Sequence, residues 1–197
     1  MITVRQIERR WEAKTFDRLF GELLTARPEA ALRLGIDVSR PICSAALAVI
    51  RLDELSQSHV PLYSKLVKSI VAAQEADGGW GDLVTTALCL RALLCGNGAG
   101  LTIDRGLKYL ADLQKSEGIW PNVPIRRMPA DPYVSALILY QLADQPRFRQ
   151  GVRIQDAAAW FAANNSALDD ETRQLWSRAR IRGRFGLPAP LLQPILC

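Results

Sequence analysis

Two adjacent arginines, Arg126 and Arg127, are the side chains of this sequence best suited to bind an anion. They lie in the segment PNVPIRRMPA, residues 121–130, which leads directly into Asp131-Pro132. An Asp-Pro pair is a helix start signal, because aspartate caps free backbone N–H groups and proline suits the first helical position. Two guanidinium groups beside a helix N-terminus can hold an anion such as a diphosphate, so we predict a ligand-binding role for both. A solvated loop is the alternative interpretation.

Two tyrosines and two aspartates complete the set of candidate site residues. Tyr133 and Tyr140 are seven positions apart and therefore share a helix face. Aromatic faces can stabilise a cation, although packing in the core is the alternative role for both. Asp82 and Asp131 stand at predicted helix starts, where a desolvated carboxylate can act as an acid or a base. We predict catalytic roles for the aspartates and ligand-binding roles for the tyrosines.

The elements that position these residues follow from an internal repeat. The first copy, residues 63–93, reads YSKLVKSIVAAQEADGGWGDLVTTALCLRAL. The second copy, residues 103–142, reads IDRGLKYLADLQKSEGIW, then PNVPIRRMPA, then DPYVSALILYQL. Three matched pairs lie 40 positions apart: Gln74 with Gln114, Gly78 with Gly118, and Trp80 with Trp120. A period of about 40 to 50 residues with two helical stretches is typical of stacked helical hairpins.

Weaker copies extend this pattern on both sides and predict an all-α fold. Four hairpins are expected: 4–24 with 41–54, 60–75 with 82–95, 103–116 with 131–144, and 150–164 with 169–182. In the two clear copies the first helix should lie outside and the second inside. We expect residues 1–197 to form a single domain.

The turn of each repeat contains residues that suit a helix-to-helix connection. The helix predicted at 60–75 should end near Ala76, because Gly78 and Gly79 can take the positive φ that ends a helix. Gln74 and its counterpart can bond free backbone groups of the turn, and Trp80 can cover it. We therefore interpret the Gln, Gly and Trp residues as a structural motif.

The bulk composition is that of a globular, helical protein. Of 197 residues, 49% are hydrophobic, the net charge is +5, and the mean hydropathy is +0.01. No apolar run approaches the ~20 residues that span a bilayer, and the charged N-terminus lacks an apolar signal core. Three of the four cysteines lie in or beside apolar helical stretches, where a thiol packs as a small hydrophobe. We expect a cytoplasmic protein without a membrane span.

The repeat resembles a known superfamily. Its apolar helix, Gln and Gly-x-Trp are similar to the QW repeat of squalene–hopene and oxidosqualene cyclases and to the repeats of protein prenyltransferase β subunits. The motifs that carry the resemblance are Gln74…Gly78-Gly79-Trp80 with Asp82, and Gln114…Gly118-Ile119-Trp120 with Asp131. The resemblance implies an α/α toroid whose inner helices ring a cavity for an isoprenoid chain, with Asp82, Asp131 and Tyr133 at its rim. A full toroid has more hairpins, so an open arc or a small, incomplete barrel is expected.

The catalytic motifs of that superfamily are missing. The Asp169-Asp170 pair has Ala167 where an Asp-x-Asp-Asp acid needs its first aspartate, and Arg173 where an Asp-Asp-x-x-Asp metal motif needs its last. We interpret the pair as a helix cap. Neither repeat has a cysteine two positions after its aspartate, and the single histidine, His59, has no cysteine at ligand spacing. No metal and no cofactor are predicted.

Two classes of function remain open. The first is a terpene-cyclase-like protein that acts on or binds an apolar small molecule, with isoprenoids among the candidates, in a central cavity. The second is a non-catalytic helical repeat protein that mediates protein–protein assembly. The arginine-rich segment 173–184 gives no strong nucleic-acid signal. The apolar, proline-rich tail 187–197 suggests a homo- or hetero-oligomer.

Overall fold

The computed structural model describes residues 40–96 and 99–185. Over these ranges the chain is helical, with isolated bridges but no β-strand, so the all-α prediction is confirmed. Eight α-helices occur within the described ranges: α1 (Pro41–Glu54), α2 (Pro61–Ala72), α3 (Leu83–Cys95), α4 (Gly100–Leu113), α5 (Pro132–Leu142), α6 (Pro146–Gly151), α7 (Ile154–Asn164) and α8 (Asp170–Gly183). The predicted helix 4–24 and the tail 187–197 lie outside the described residues.

The observed helices follow the predicted ones with small differences at the ends. The prediction that the helix 60–75 ends near Ala76 was wrong, because the corresponding helix, α2, ends at Ala72. The Glu75 N–H donates to the Gly79 carbonyl (2.9 Å), which closes the turn earlier. Of the two glycines predicted to take positive φ, Gly78 does so (96°) and Gly79 does not. The short helix α6 precedes α7 and was not predicted.

The described residues divide into two compact units, one up to Leu113 and the other from Gln114 onward. In the first unit, α1 and α3 begin side by side and run parallel, since Arg40 contacts Asp82 and Cys43 contacts Thr85. Helix α2 runs the opposite way, because the carbonyl of Ile70 near its end accepts from the Trp80 indole just before α3 (2.8 Å).

The second unit repeats the parallel arrangement with α5 and α8. Tyr133, at the start of α5, lies beside Glu171 at the start of α8. At the other end, the Arg182 guanidinium contacts both Tyr140 and Asp144. The two helices are therefore parallel and in contact along their length.

The cores of both units are built from aromatic and aliphatic side chains. Helices α3 and α5 are apolar on nearly every side, as expected of helices covered on all faces. In the second unit, Trp176 lies between Phe161 (4.6 Å between ring centroids) and Phe185 (5.9 Å). No helix in the described ranges combines the length and apolar composition needed to cross a bilayer.

Candidate functional site

The two repeat turns have nearly the same hydrogen bonds. Gln74 donates its side-chain N–H to the Gly78 carbonyl (2.8 Å), and Gln114 donates to Gly118 (2.7 Å). Gln74 also donates to the Thr102 carbonyl in α4, and Gln114 donates to the carbonyl of Arg153, which precedes α7. These bonds confirm that the glutamines bond free backbone groups of the turn.

The tryptophans of the two turns are fixed in the same way. The backbone N–H of Trp80 donates to the Thr86 hydroxyl (3.0 Å), and that of Trp120 to Ser135 (2.8 Å). Both indole side chains are buried, with relative exposures of 2% and 0%. They therefore belong to the scaffold of the turn.

Asp82 is held in a polar network at the start of α3. One carboxylate oxygen accepts from the Thr85 backbone N–H (2.7 Å), which makes Asp82 the N-cap of the helix. The other accepts from the Thr85 hydroxyl (2.7 Å) and from the Arg40 guanidinium (2.5 Å). Arg40 also donates to the Trp80 carbonyl (3.2 Å). These bonds fix the position of the Asp82 side chain at the start of α3.

Asp131 has the same capping role at the start of α5. Its carboxylate accepts from the Val134 backbone N–H (3.0 Å), and Pro132 occupies the first turn, as predicted. Asp169 caps α8 by accepting from Thr172 (2.8 Å), as the sequence indicated for the Asp-Asp pair. Accepting these backbone N–H and hydroxyl groups lowers the pKa of Asp169.

Tyr133 and Tyr140 both face α8, in agreement with their predicted common helix face. The Tyr133 hydroxyl lies 3.5 Å from Glu171, and burial together with this carboxylate raises the pKa of Tyr133. The Arg182 guanidinium lies over the Tyr140 ring, 5.7 Å from its centroid. Both tyrosines are half-buried and contribute to the contact between α5 and α8.

Arg126 and Arg127 lie in the insert loop, which we define as residues 121–130. The loop is closed at its base by a bridge between Pro121 and Ala130 and by a bond from the Asp131 N–H to the Trp120 carbonyl (2.8 Å). Both arginines are exposed, and neither side chain has a hydrogen-bond or ion-pair partner among the described residues. No hydrogen bond, ion pair or ring contact among the described residues links either of them to Tyr133 or Tyr140.

Two cysteines of the first unit, Cys89 and Cys95, are poor nucleophiles. Burial, with smaller effects of Cys43 and Asp82, raises the pKa of the Cys89 thiol far above its usual range. Burial and the neighbouring carboxylate of Asp53 raise the pKa of Cys95 to about 11. Both thiols stay protonated near neutral pH. Among the described residues no cluster of three or more His, Cys, Asp or Glu side chains suits a metal ion.

A groove that the sequence did not predict lies at the C-terminal ends of α5 and α8. Its volume is about 550 Å³, and its lining includes Arg149, Arg182 and Arg184. In the sequence, the groove was indicated only by the alternation of Arg with apolar residues in 173–184. The pattern could not show that α6 adds Arg149 to the same place, because that contact joins residues 34 positions apart.

Comparison with known proteins gives no relative for this chain. No protein-family model, no curated protein and no solved structure matches it. The resemblance to the α/α-toroid superfamily therefore rests on the Gln, Gly, Trp and Asp residues of the two repeat motifs.

Proposed function

We propose that this chain is a non-catalytic helical repeat protein that binds an acidic partner protein through the insert loop. The observation that carries the proposal is a contrast between two groups of candidate residues. Asp82 and Asp131 are used as helix caps, and the tyrosines contact α8. Arg126 and Arg127, in contrast, have no hydrogen-bond or ion-pair partner among the described residues.

The insert loop is not needed to form the turn that contains it. In the first copy a single residue, Gly81, joins Trp80 to Asp82, and the turn bonds are the same in both copies. Loop residues that do not stabilise the scaffold are free to serve recognition. The exposed residues 124–129 of the loop are therefore available for recognition.

The composition of the loop fits a protein interface. Ile125 and Met128 remain 46% and 37% exposed on either side of the arginines. Met and Arg are enriched in protein interfaces, where apolar contacts supply affinity and charges supply orientation. Between Gly118 and Ala130 the sequence has no carboxylate, so the loop favours an acidic surface.

A photo-crosslinking amino acid at position 125 tests the proposal in cells that contain the native partners. We expect a discrete crosslinked species that is lost when Arg126→Glu and Arg127→Glu are added. The matched control is the same amino acid at position 101, because Leu101 is 83% exposed but lies on α4. Identical crosslinks from both positions would contradict the proposal.

A second candidate function is the binding of an apolar small molecule, such as an isoprenoid, by an α/α-toroid-type scaffold. It is favoured by the parallel pairs α1 with α3 and α5 with α8, which suit the inner helices of such a fold. The capping roles of Asp82 and Asp131 favour binding over acid catalysis. In this reading the anionic head of the ligand would meet Arg126 and Arg127.

Thermal unfolding with isoprenoid diphosphates tests the second candidate. We expect a higher melting temperature with the ligand, and loss of this shift in the Arg126→Glu, Arg127→Glu double variant. No shift for the wild-type protein would exclude this function and leave the partner-binding proposal as it stands.

A further inference from the structure

The groove at the C-terminal ends of α5 and α8 collects positive charge within the second unit. Its lining includes Asp144, Pro146, Arg149, Gln150, Arg182 and Arg184. Three arginines and one carboxylate give these side chains a net charge of +2. The negative ends of the α5 and α8 dipoles compensate part of this charge, and solvent or an anion compensates the rest.

Two of the arginines are held in place by the protein. Arg149 donates to the Gly183 carbonyl (2.6 Å), and its guanidinium lies 5.3 Å from the centre of the Phe185 ring. Arg182 donates through Nε to Asp144 (2.8 Å) and lies over the Tyr140 ring. Side chains fixed in this way lose little further entropy when they bind a ligand.

The fixed arginines keep hydrogen-bonding capacity after these contacts. A guanidinium has five N–H donors, and Arg149 uses only Nη1 in its hydrogen bonds to carbonyls. Those bonds also satisfy free carbonyls at the ends of α5 and α8, which offsets the negative ends of the two helix dipoles. Arg184 follows α8 in a left-handed conformation (φ 55°), and its side chain has no hydrogen-bond or ion-pair partner among the described residues.

We propose that this groove is a binding site for a small organic phosphate of about nucleotide size. A planar guanidinium group can donate two parallel hydrogen bonds to a phosphate, and Arg149, Arg182 and Arg184 line one groove, so the geometry suits a phosphate group. A volume of about 550 Å³ exceeds what a bare phosphate fills. It lies in the range of small-molecule sites, and Pro146 with the arginine stems gives the remainder of the ligand an apolar wall.

Isothermal titration calorimetry on the full chain tests the site with three probes: ADP, inorganic pyrophosphate and adenosine. We expect ADP and pyrophosphate to bind and adenosine not to bind. Tighter binding of ADP than of pyrophosphate is expected from the apolar wall. Arg184→Gln should weaken both by about tenfold, as expected for the loss of one charge-assisted hydrogen bond.

The matched control is Arg178→Gln, which removes an exposed arginine of the same helix that does not line the groove. It should change the affinity by less than about twofold, in keeping with weak long-range effects of exposed charges. Equal losses in the two variants, or no binding of either phosphate, would overturn the proposal. Neither variant lies in the insert loop, so this result is independent of the partner-binding and isoprenoid tests.

Discussion

Trp80 and Trp120 fill the space beneath the two repeat turns. Trp120 is fully buried and stacks on Phe148, with ring centroids 6.2 Å apart. Trp120→Ala should lower the free energy of unfolding by roughly 3–5 kcal/mol, because truncation of a buried aromatic leaves a cavity. The same range is expected for Trp80→Ala. Urea denaturation measures the change, and Trp160→Ala, at a half-buried position, is the control. If Trp120→Ala left the stability unchanged and abolished only the binding of a ligand or partner, Trp120 would be a site residue instead.

The capping aspartates allow a comparison between the two repeats. Asp82→Ala and Asp131→Ala should each lower the free energy of unfolding by about 1 kcal/mol through loss of the N-cap. Asp82→Ala should cost up to about 1 kcal/mol more, since the ion pair with Arg40 is lost but is partly exposed to solvent. A double-mutant cycle with Arg40→Ala isolates this coupling. A larger loss for Asp131→Ala than for Asp82→Ala would contradict the assignment.

Because of the Cys95 thiol, the free energy of unfolding should depend on pH in the alkaline range. Its pKa is raised to about 11 by burial and Asp53, whereas an unfolded cysteine titrates near ~8.5. The folded state therefore holds this proton more tightly, and the resulting stabilisation is complete below ~8.5 and is lost as the pH rises towards the folded pKa. We expect the free energy of unfolding to fall between about pH 8.5 and pH 11 in urea titrations. Cys95→Ala should reduce this slope, and an unchanged slope would exclude the contribution of Cys95.

Single glycines set the geometry of the turns between helices. Gly118 has a φ of 84°, and a Cβ atom there would overlap the backbone of Ala157. Gly118→Ala should therefore destabilise the protein by more than about 1 kcal/mol, since both strain and a backbone clash result. Gly100→Ala is the control, because a Cβ atom there meets nothing within 4 Å. Equal melting temperatures for the two variants would refute this account of the turn.

Local signals in the sequence predicted the helices well and their long-range partners poorly. The Asp, Pro and Gly residues of the turns act within a few positions, so α1, α3, α5 and α8 begin and end within two residues of the predicted bounds. The partnership of Arg40 with Asp82 spans 42 positions. The contact of Arg149 with Gly183 spans 34. Such partners depend on how the helices pack, which neither periodicity nor capping residues specify.

The assembly state is a property of the whole chain that the sequence predicts and the described residues do not test. The apolar tail 187–197 suggests a dimer or a stable hetero-complex, because apolar segments of this kind are usually covered. Sedimentation velocity of the pure protein over a range of concentrations measures it. We expect a dimer in which the tail contributes to the contact. A monomer at every concentration, with the same sedimentation after Leu191→Ser, would contradict a role of the tail in self-association.

The insert loop also has a consequence for engineering the molecule. Ten residues lie between Trp120 and Asp131, where the first copy has only Gly81, yet the aspartate cap and the bond from the tryptophan backbone N–H are the same in both copies. The segment between the tryptophan and the aspartate of this repeat should therefore accept inserted peptides without loss of the turn. An epitope of similar length grafted in place of residues 122–129 should be displayed with its ends fixed, because Pro121 and Ala130 still close the base of the loop.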